Sequence, residues 1–253
     1  MRLVSYNILD GGEGRADPIA EVLLAQRPDI VALIEADHPA VVARVASRLK
    51  MDSVTAVGRR HSVAILSRWP IIESVNHALL REEFSNCFME ATVRDPGGTD
   101  WLIGVAHLHP HANDADDRVR QREVGAIREI FQSRRKENIP HLLVGDFNSD
   151  SPVQRIDPAA CKPMTQKSWR ENGGRLPTGA VQALMSAGYV DTLHEFNGEI
   201  AANTGTFSTQ YPGQRVDYVF SFGVENRLKS AWIERDRLAQ FASDHFPVGV
   251  EIQ

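Results

Sequence analysis

Short apolar runs that stop at a carboxylate, an amide or a histidine punctuate this chain from end to end. "RLVSYN" reads as a strand ending on Asn7. "DIVALIEA" is a continuous apolar run, hence a buried strand, and Glu35 ends it. Between the two, a loop rich in Gly11, Gly12 and Gly14 leads to Asp17-Pro18, which opens a helix. Ile19, Val22, Leu23 and Gln26 share one face of that helix, widened by Ala20 and Leu24. Val42, Val45, Ala46 and Leu49 repeat the helical stripe.

Strand patterns dominate the next stretch. "SVAILS" and "IIESVNHAL" precede "CFMEATVRD", whose alternation runs into the turn "PGG" and returns as "DWLIGVAHL", a hairpin that carries His107. Val119, Ala126, Ile127 and Ile130 predict a helix from about Asp116 to Lys136. "HLLVGDFNSD" then delivers Asp146 and Asn148 at the mouth of an apolar strand. From Asp150 to Gly179 the pattern dissolves into Pro, Gly, Lys and Arg and predicts a long surface loop, after which Thr178 caps a short helix, "GAVQALMSAG". "GTFST", "RVDYVFSF", "LKSAWIER" and "FPVGVEI" predict closing strands. Without repeat, low-complexity tract or linker, residues 1–253 are expected to form one domain, with two packed sheets covered by helices on the outside.

Composition narrows the class only a little. A hydrophobic share of 42% and a charged share of 24% are those of an ordinary globular chain. The net charge of −5 excludes a polycation that coats nucleic acid, but not a local phosphate-steering patch. Cys87 and Cys161 fit no zinc spacing and no disulfide framework. No basic segment followed by an apolar one opens the sequence, and no run approaches the roughly 18 apolar residues of a membrane span, so the cytoplasm is the expected location.

The polar strand ends are the informative set: Asn7, Glu35, His107, Asp146, Asn148, Asp217 and Asp244-His245. A turn-forming Asp or Asn at one strand end is ordinary. Recurrence of carboxylates, amides and histidines at so many is better explained by convergence on one site. The chemistry suits hard-metal phosphoryl hydrolysis, because Mg²⁺ takes oxygen ligands and needs only one or two carboxylates. Histidine adds a donor to phosphate oxygens or a proton carrier near neutrality. Adjacent in extended chain, Asp244 and His245 point to opposite faces, so His245 needs its orienting carboxylate elsewhere, and Asp217 is the candidate.

"SYNIL", "ALIEAD", "VAHLHP", "LLVGDFNS", "RVDYVFS" and "ASDHFPV" resemble, in order, the motifs of the endonuclease/exonuclease/phosphatase superfamily. The resemblance covers nearly the whole chain and implies a four-layer α/β sandwich, with two central, mostly antiparallel sheets flanked by helices and a divalent-metal site at one end. It also implies roles: Glu35 as main Mg²⁺ (or Mn²⁺) ligand, Asn7 near the metal or the scissile phosphate, and Asp244 near the metal. His107 would contact the phosphate, Asp146 would position the water, and Asn148 would orient both. His245, held by Asp217, would stabilise charge on the phosphoryl oxygens, with the base assigned jointly to Asp146 and His245.

Departures narrow the substrate. Abasic-site endonucleases of the superfamily carry an Asp two residues after the first Asn, where this chain has Leu9, and Tyr and Asn where it has "HLHP". His107 is instead similar to the branch of non-specific deoxyribonucleases, deadenylases, sphingomyelinases and inositol-phosphate phosphatases. A nuclease-type phosphodiesterase is expected first and an enzyme of phospholipid or inositol-phosphate headgroups second. The contrasting class is a scaffold protein that has lost the chemistry, and no site residue is missing to favour it.

Other signals carry less. His109 and His111 do not complete a zinc motif, Gly11 to Gly14 lack the Lys-Ser/Thr of a phosphate loop, and Ser243-Asp244-His245 are too close in sequence for a hydrolase triad. Arg118, Arg120 and Arg122, interspersed with Asp116, Asp117, Glu123 and Glu129, read as a solvated helix face. Lys162, Lys167, Trp169, Arg170 and Arg175 make the predicted loop basic, and Trp169 with Arg170 are candidates for substrate contact.

Overall fold

The computed structural model describes residues 1–253. Twelve strands, numbered in chain order, divide into two six-stranded sheets. The first contains β1 (Arg2–Asn7), β2 (Ile30–Ile34), β3 (Asp52–Ala56), β4 (Val63–Ser67), β11 (Leu228–Ile233) and β12 (Val248–Ile252), in the order β11-β12-β1-β2-β4-β3. The second contains β5 (Ile71–Asn76), β6 (Cys87–Arg94), β7 (Asp100–His107), β8 (His141–Asp146), β9 (Val190–Asp191) and β10 (Asp217–Phe222), in the order β5-β6-β7-β8-β10-β9. Each sheet has one parallel pair at its centre, β1 with β2 and β7 with β8, and is otherwise antiparallel.

Strict alternation explains why the central strands are apolar throughout. Ile30, Ala32 and Ile34 of β2 face the core between the sheets, while Val31 and Leu33 face the helices outside. In β4, Val63 and Ile65 point inward and Ala64 and Leu66 outward. Helices α1 (Ala16–Gln26) and α2 (Pro39–Leu49) cover the first sheet through Ile19, Leu23, Val42 and Val45. Helix α3 (Asp114–Ile130) contributes Val124 and Ile127 to the second sheet's packing, followed by short α4 (Gln132–Lys136). The result is the four-layer α/β sandwich expected from the sequence. No helix is long and apolar enough to cross a membrane.

Several local expectations change. The 150–179 segment is not all loop: Pro163–Glu171 forms α5, with Thr165 as its one buried residue. With so little apolar surface, its period is invisible to a hydrophobic pattern. Thr178 precedes α6 (Gly179–Met185) without a side-chain cap. The helix expected over Asp116–Lys136 breaks between α3 and α4 at Phe131, which is buried. "GTFST" supplies only isolated bridges from Phe207 rather than a strand. Edge strand β3 escapes the apolar pattern, as do short α7 (Thr192–Asn197) and α8 (Glu199–Ala202); α9 (Ala239–Ala242) completes the helices. The polar face of α3 is not solvated throughout, because Asp117, Arg120 and Glu123 are buried.

Candidate active site

The two central parallel pairs end side by side, and the polar residues that interrupt them fall into register. In the second sheet His107 pairs with Asp146 across β7 and β8, and Asp146 with Asp217 across β8 and β10. Three neighbouring strands thus present histidine, carboxylate and carboxylate in one row. Gly145 permits it: its φ of +132° suits glycine, and a Cβ there would lie 2.0 Å from the Ala106 carbonyl oxygen. In the first sheet Asn7 pairs with Ile34, and Glu35 follows at once. Glu35 adopts φ +59° and Asn148 φ +48°, left-handed conformations; Asn tolerates them, whereas for Glu they cost about 1 kcal/mol or more. Strain held at a strand end by its surroundings is typical of sites that must aim a side chain.

Asn7 joins the two sheets. Its Nδ2 donates to Glu35 Oε1 (3.0 Å) and to Asp146 Oδ2 (3.1 Å). Its Oδ1 accepts from the Leu9 backbone N–H at 3.0 Å, which fixes the orientation of the amide. Asn7 therefore turns its nitrogen, not its oxygen, to the carboxylates and links Glu35 to Asp146. Ser243 secures the same residue from below, its hydroxyl donating to the Asn7 carbonyl (2.6 Å). Asp146 is held at both oxygens, since Oδ1 accepts the Asn148 backbone N–H at 2.8 Å. The Asn148 side chain donates to the Leu108 carbonyl (3.0 Å).

Three histidines surround this pair of acids. His245 Nδ1 lies 2.9 Å from Asp217 Oδ2, leaving Nε2 3.9 Å from Asp146 Oδ2. Burial works to lower the His245 pKa, but the adjacent Asp217 charge and hydrogen bond, with Asp146 and Asp244, push it up to about 10. His107 Nε2 is 4.0 Å from Glu35 Oε1 and 3.9 Å from Asp146 Oδ2. Burial, then the nearby His61 and His245, push its pKa down to about 3, so this imidazole is neutral at working pH. His61 stands before β4, its Nδ1 2.7 Å from Asp37 Oδ2 and 4.0 Å from Glu35 Oε2. Burial and the Asp217 charge push Asp146 up to about 7, with His245 opposing.

The donor set fits a hard divalent cation. Asp10, Glu35 and His61 place one ligand atom each within 4.8 Å of one another, and Asp146, Asp217 and His245 do the same. Carboxylate oxygens that have met only N–H donors, in a cleft where burial penalises their charge, are the environment a Mg²⁺ or Mn²⁺ ion relieves. Asp10 and His61 escape the sequence pattern: Asp10 sits in a glycine loop and His61 precedes its strand instead of ending it. The Asp10 backbone N–H also donates to Glu35 Oε2 (2.6 Å).

Asp244 is ion-paired with Lys162 at 3.0 Å, and its Oδ1 lies 3.9 Å from His245 Nε2, the nitrogen that also faces Asp146. It belongs to neither cluster of potential ligands. Lys162 also lies 4.0 Å from the centre of the Phe207 ring, which packs 4.7 Å from the His245 ring. Beside the acids runs a groove of about 280 Å³, lined by His111, Asn148, Lys162, Met164, Ser168 and Phe207 among others. Helical spacing turns Met164 and Ser168 of α5 into it, while Trp169 and Arg170 do not line it.

Solved structures share this architecture. The chain superposes over 100% of its length on the 3′-5′ exonuclease NExo from Neisseria meningitidis, covering 100% of that chain, with a TM-score of 0.78 at 19% identity. The 3′ phosphatase NExo from Neisseria bound to product DNA hairpin matches at TM-score 0.77 and 20% identity, covering 100% of this chain and 99% of that one. An AP endonuclease from Archaeoglobus fulgidus matches at 0.71 and 17%, over 100% and 99% of the two chains. Among curated proteins, none matches the sequence. Residues 4–245 match the model of the Endonuclease/Exonuclease/phosphatase family, a span that takes in Asn7 at one end and closes on His245 at the other, and the chain therefore belongs to that family.

Proposed function

We propose that residues 1–253 act as a single catalytic unit, a divalent-metal-dependent phosphodiesterase that hydrolyses nucleic-acid backbones. One observation carries this reading: a single amide nitrogen, that of Asn7, holds carboxylates from both sheets together beside an Asp-paired histidine. The similar structures, named as a 3′-5′ exonuclease, a 3′ phosphatase bound to product DNA hairpin and an AP endonuclease, support nucleic acid over a lipid headgroup as substrate class.

Glu35, with Asp10 and His61 beside it, would hold the cation, leaving Asp146 free to act on water. When bound, Mg²⁺ or Mn²⁺ polarises a phosphoryl oxygen and steadies the leaving oxygen. The pKa directions separate the two candidates for the base. His245, held cationic by Asp217, already carries its proton and donates from Nε2 to a phosphoryl oxygen, where negative charge grows. Asp146 takes the proton of the attacking water, its oxygens aimed by Asn7 and by the Asn148 N–H. As the water oxygen bonds to phosphorus, the opposite P–O bond breaks in line. Neutral His107 donates to the phosphate without adding charge.

The test is hydrolysis of bis(p-nitrophenyl) phosphate, then of DNA and RNA oligonucleotides, sphingomyelin and inositol phosphates, with Mg²⁺ or Mn²⁺ and with chelator. Turnover that needs metal and favours oligonucleotides is expected. No turnover with any divalent metal, or a Glu35→Ala variant as active as the parent, would refute the reading in favour of a scaffold. Preference for sphingomyelin or inositol phosphates would refute the substrate class alone.

A further inference from the structure

Helix α3 directs its charges at one short segment. Asp116, Arg120 and Glu123 fall on one helical face at spacings of four and three. Arg120 is 0% exposed, and its Nη1 donates to the carbonyls of His109 (3.0 Å) and Pro110 (3.3 Å) and reaches that of His111. Asp116 Oδ1 lies 2.9 Å from His109 Nε2. Glu123 accepts the backbone N–H of His109 and of Ser85, both at 2.8 Å. Beyond His107 the chain leaves β7, so these carbonyls have no strand to pair with, and the guanidinium is what satisfies them.

That segment sets two groups of the site. The His107 ring makes no hydrogen bond of its own: Nδ1 is buried without a partner, and Nε2 is no nearer than 3.9 Å to a carboxylate. Its position follows from its backbone. Asn148 is tied to the same stretch, because its side-chain N–H₂ donates to the Leu108 carbonyl. His111, at the far end, lines the groove.

We propose that Arg120, with Asp116 and Glu123, is a positioning residue for the reaction: by fixing the backbone from His107 to His111 it places the His107 imidazole and the Asn148 amide against the phosphate. The inference rests on the phosphodiesterase reading for its kinetic consequence, though not for its geometric one. An Arg that served the fold alone would affect unfolding temperature and leave kcat untouched.

Arg120→Lys separates the two, since it keeps the charge but loses the rigid guanidinium, whose Nη2 contact with Asp117 (3.4 Å) orients the Nη1 that serves the three carbonyls. With Mn²⁺ and bis(p-nitrophenyl) phosphate, kcat is expected to fall at least tenfold while KM changes less than threefold. The Asn148 side-chain ¹H–¹⁵N signal, identified by its loss in Asn148→Ala, is expected to move in metal-free protein. With an active parent both results are required; a kcat within threefold of the parent, or an unmoved signal, overturns the proposal. Should Arg120→Lys fail to fold, Asp116→Asn, at the more exposed end of the clamp, takes its place: the same fall in kcat and the same moved signal are expected, and the absence of either overturns the proposal. A parent without turnover refutes the proposed function, and the Asn148 signal alone then decides this inference.

Discussion

Replacing Asp217 with Asn tests the electrostatic core of the site. The Asp217–His245 pair is buried on both sides at 2.9 Å, and it holds an imidazole that burial alone would neutralise at a pKa of about 10 against an ordinary 6.5. By the conversion of 1.36 kcal/mol per pH unit, that preference for the charged form, to which Asp146 and Asp244 also contribute, is on the order of 5 kcal/mol. Direct disruption of a buried pair costs about 3–5 kcal/mol, of similar size. For a chain of this length the loss corresponds to roughly 6–20 °C in Tm. The pH dependence has a definite sign. Because the folded pKa lies above the unfolded one, the stabilisation is complete below about 6.5 and is lost as pH rises through about 10. The gap in Tm between parent and Asp217→Asn, measured in chelator, is therefore expected to be widest near pH 6 and to close toward pH 10. In parallel, kcat at neutral pH is expected to fall by about 10²–10⁴ through loss of the proton-bearing donor. A gap constant from pH 6 to 10, together with kcat within threefold of the parent, would refute the reasoning.

Three further outcomes bear on the same geometry. Glu35→Gln removes the carboxylate that Asn7, Asp10 and His61 surround, so Mn²⁺ affinity by calorimetry is expected to weaken at least tenfold; unchanged affinity would place the cation elsewhere. Gly145→Ala puts a methyl 2.0 Å from the Ala106 carbonyl at φ +132°, and a loss of about 3 kcal/mol or more is expected in urea unfolding, so an unaltered midpoint would contradict the described register. Lys162→Met removes a cation from the groove wall: KM for oligonucleotides is expected to rise about tenfold, and the salt dependence of binding to lose a slope of about one, which an identical salt slope would disprove.

Sequence pattern reveals what continuous apolar runs reveal. Asn7, Glu35, His107 and Asp146 are legible because each ends or directly follows a largely apolar strand, and Asp217 because a carboxylate inside "RVDYVF" has no apolar reason to be there. The pairing of His245 with Asp217 is as expected from the sequence, but Asp244 is not turned fully away: outside any strand, its Oδ1 comes within 3.9 Å of His245 Nε2. Asp10 and His61 are not legible, because residues in loops carry no periodicity to mark them as inward. Arg120 shows a different blind spot: charges spaced along a helix look the same whether water or three backbone carbonyls receive them. Trp169 and Arg170 draw notice through composition, yet a helix selects by angle, and that angle brings Met164 and Ser168 to the groove instead.

The Asn7 amide has a consequence for how this protein fails. One of its two hydrogen bonds stays with Glu35 on its own side, and the other crosses the seam between the sheets to Asp146. Turnover therefore gauges the docking of two halves that could each retain strand content while drifting apart. Under rising denaturant, activity should vanish ahead of the circular-dichroism signal, with the enzyme silenced by a parted seam before either sheet has melted.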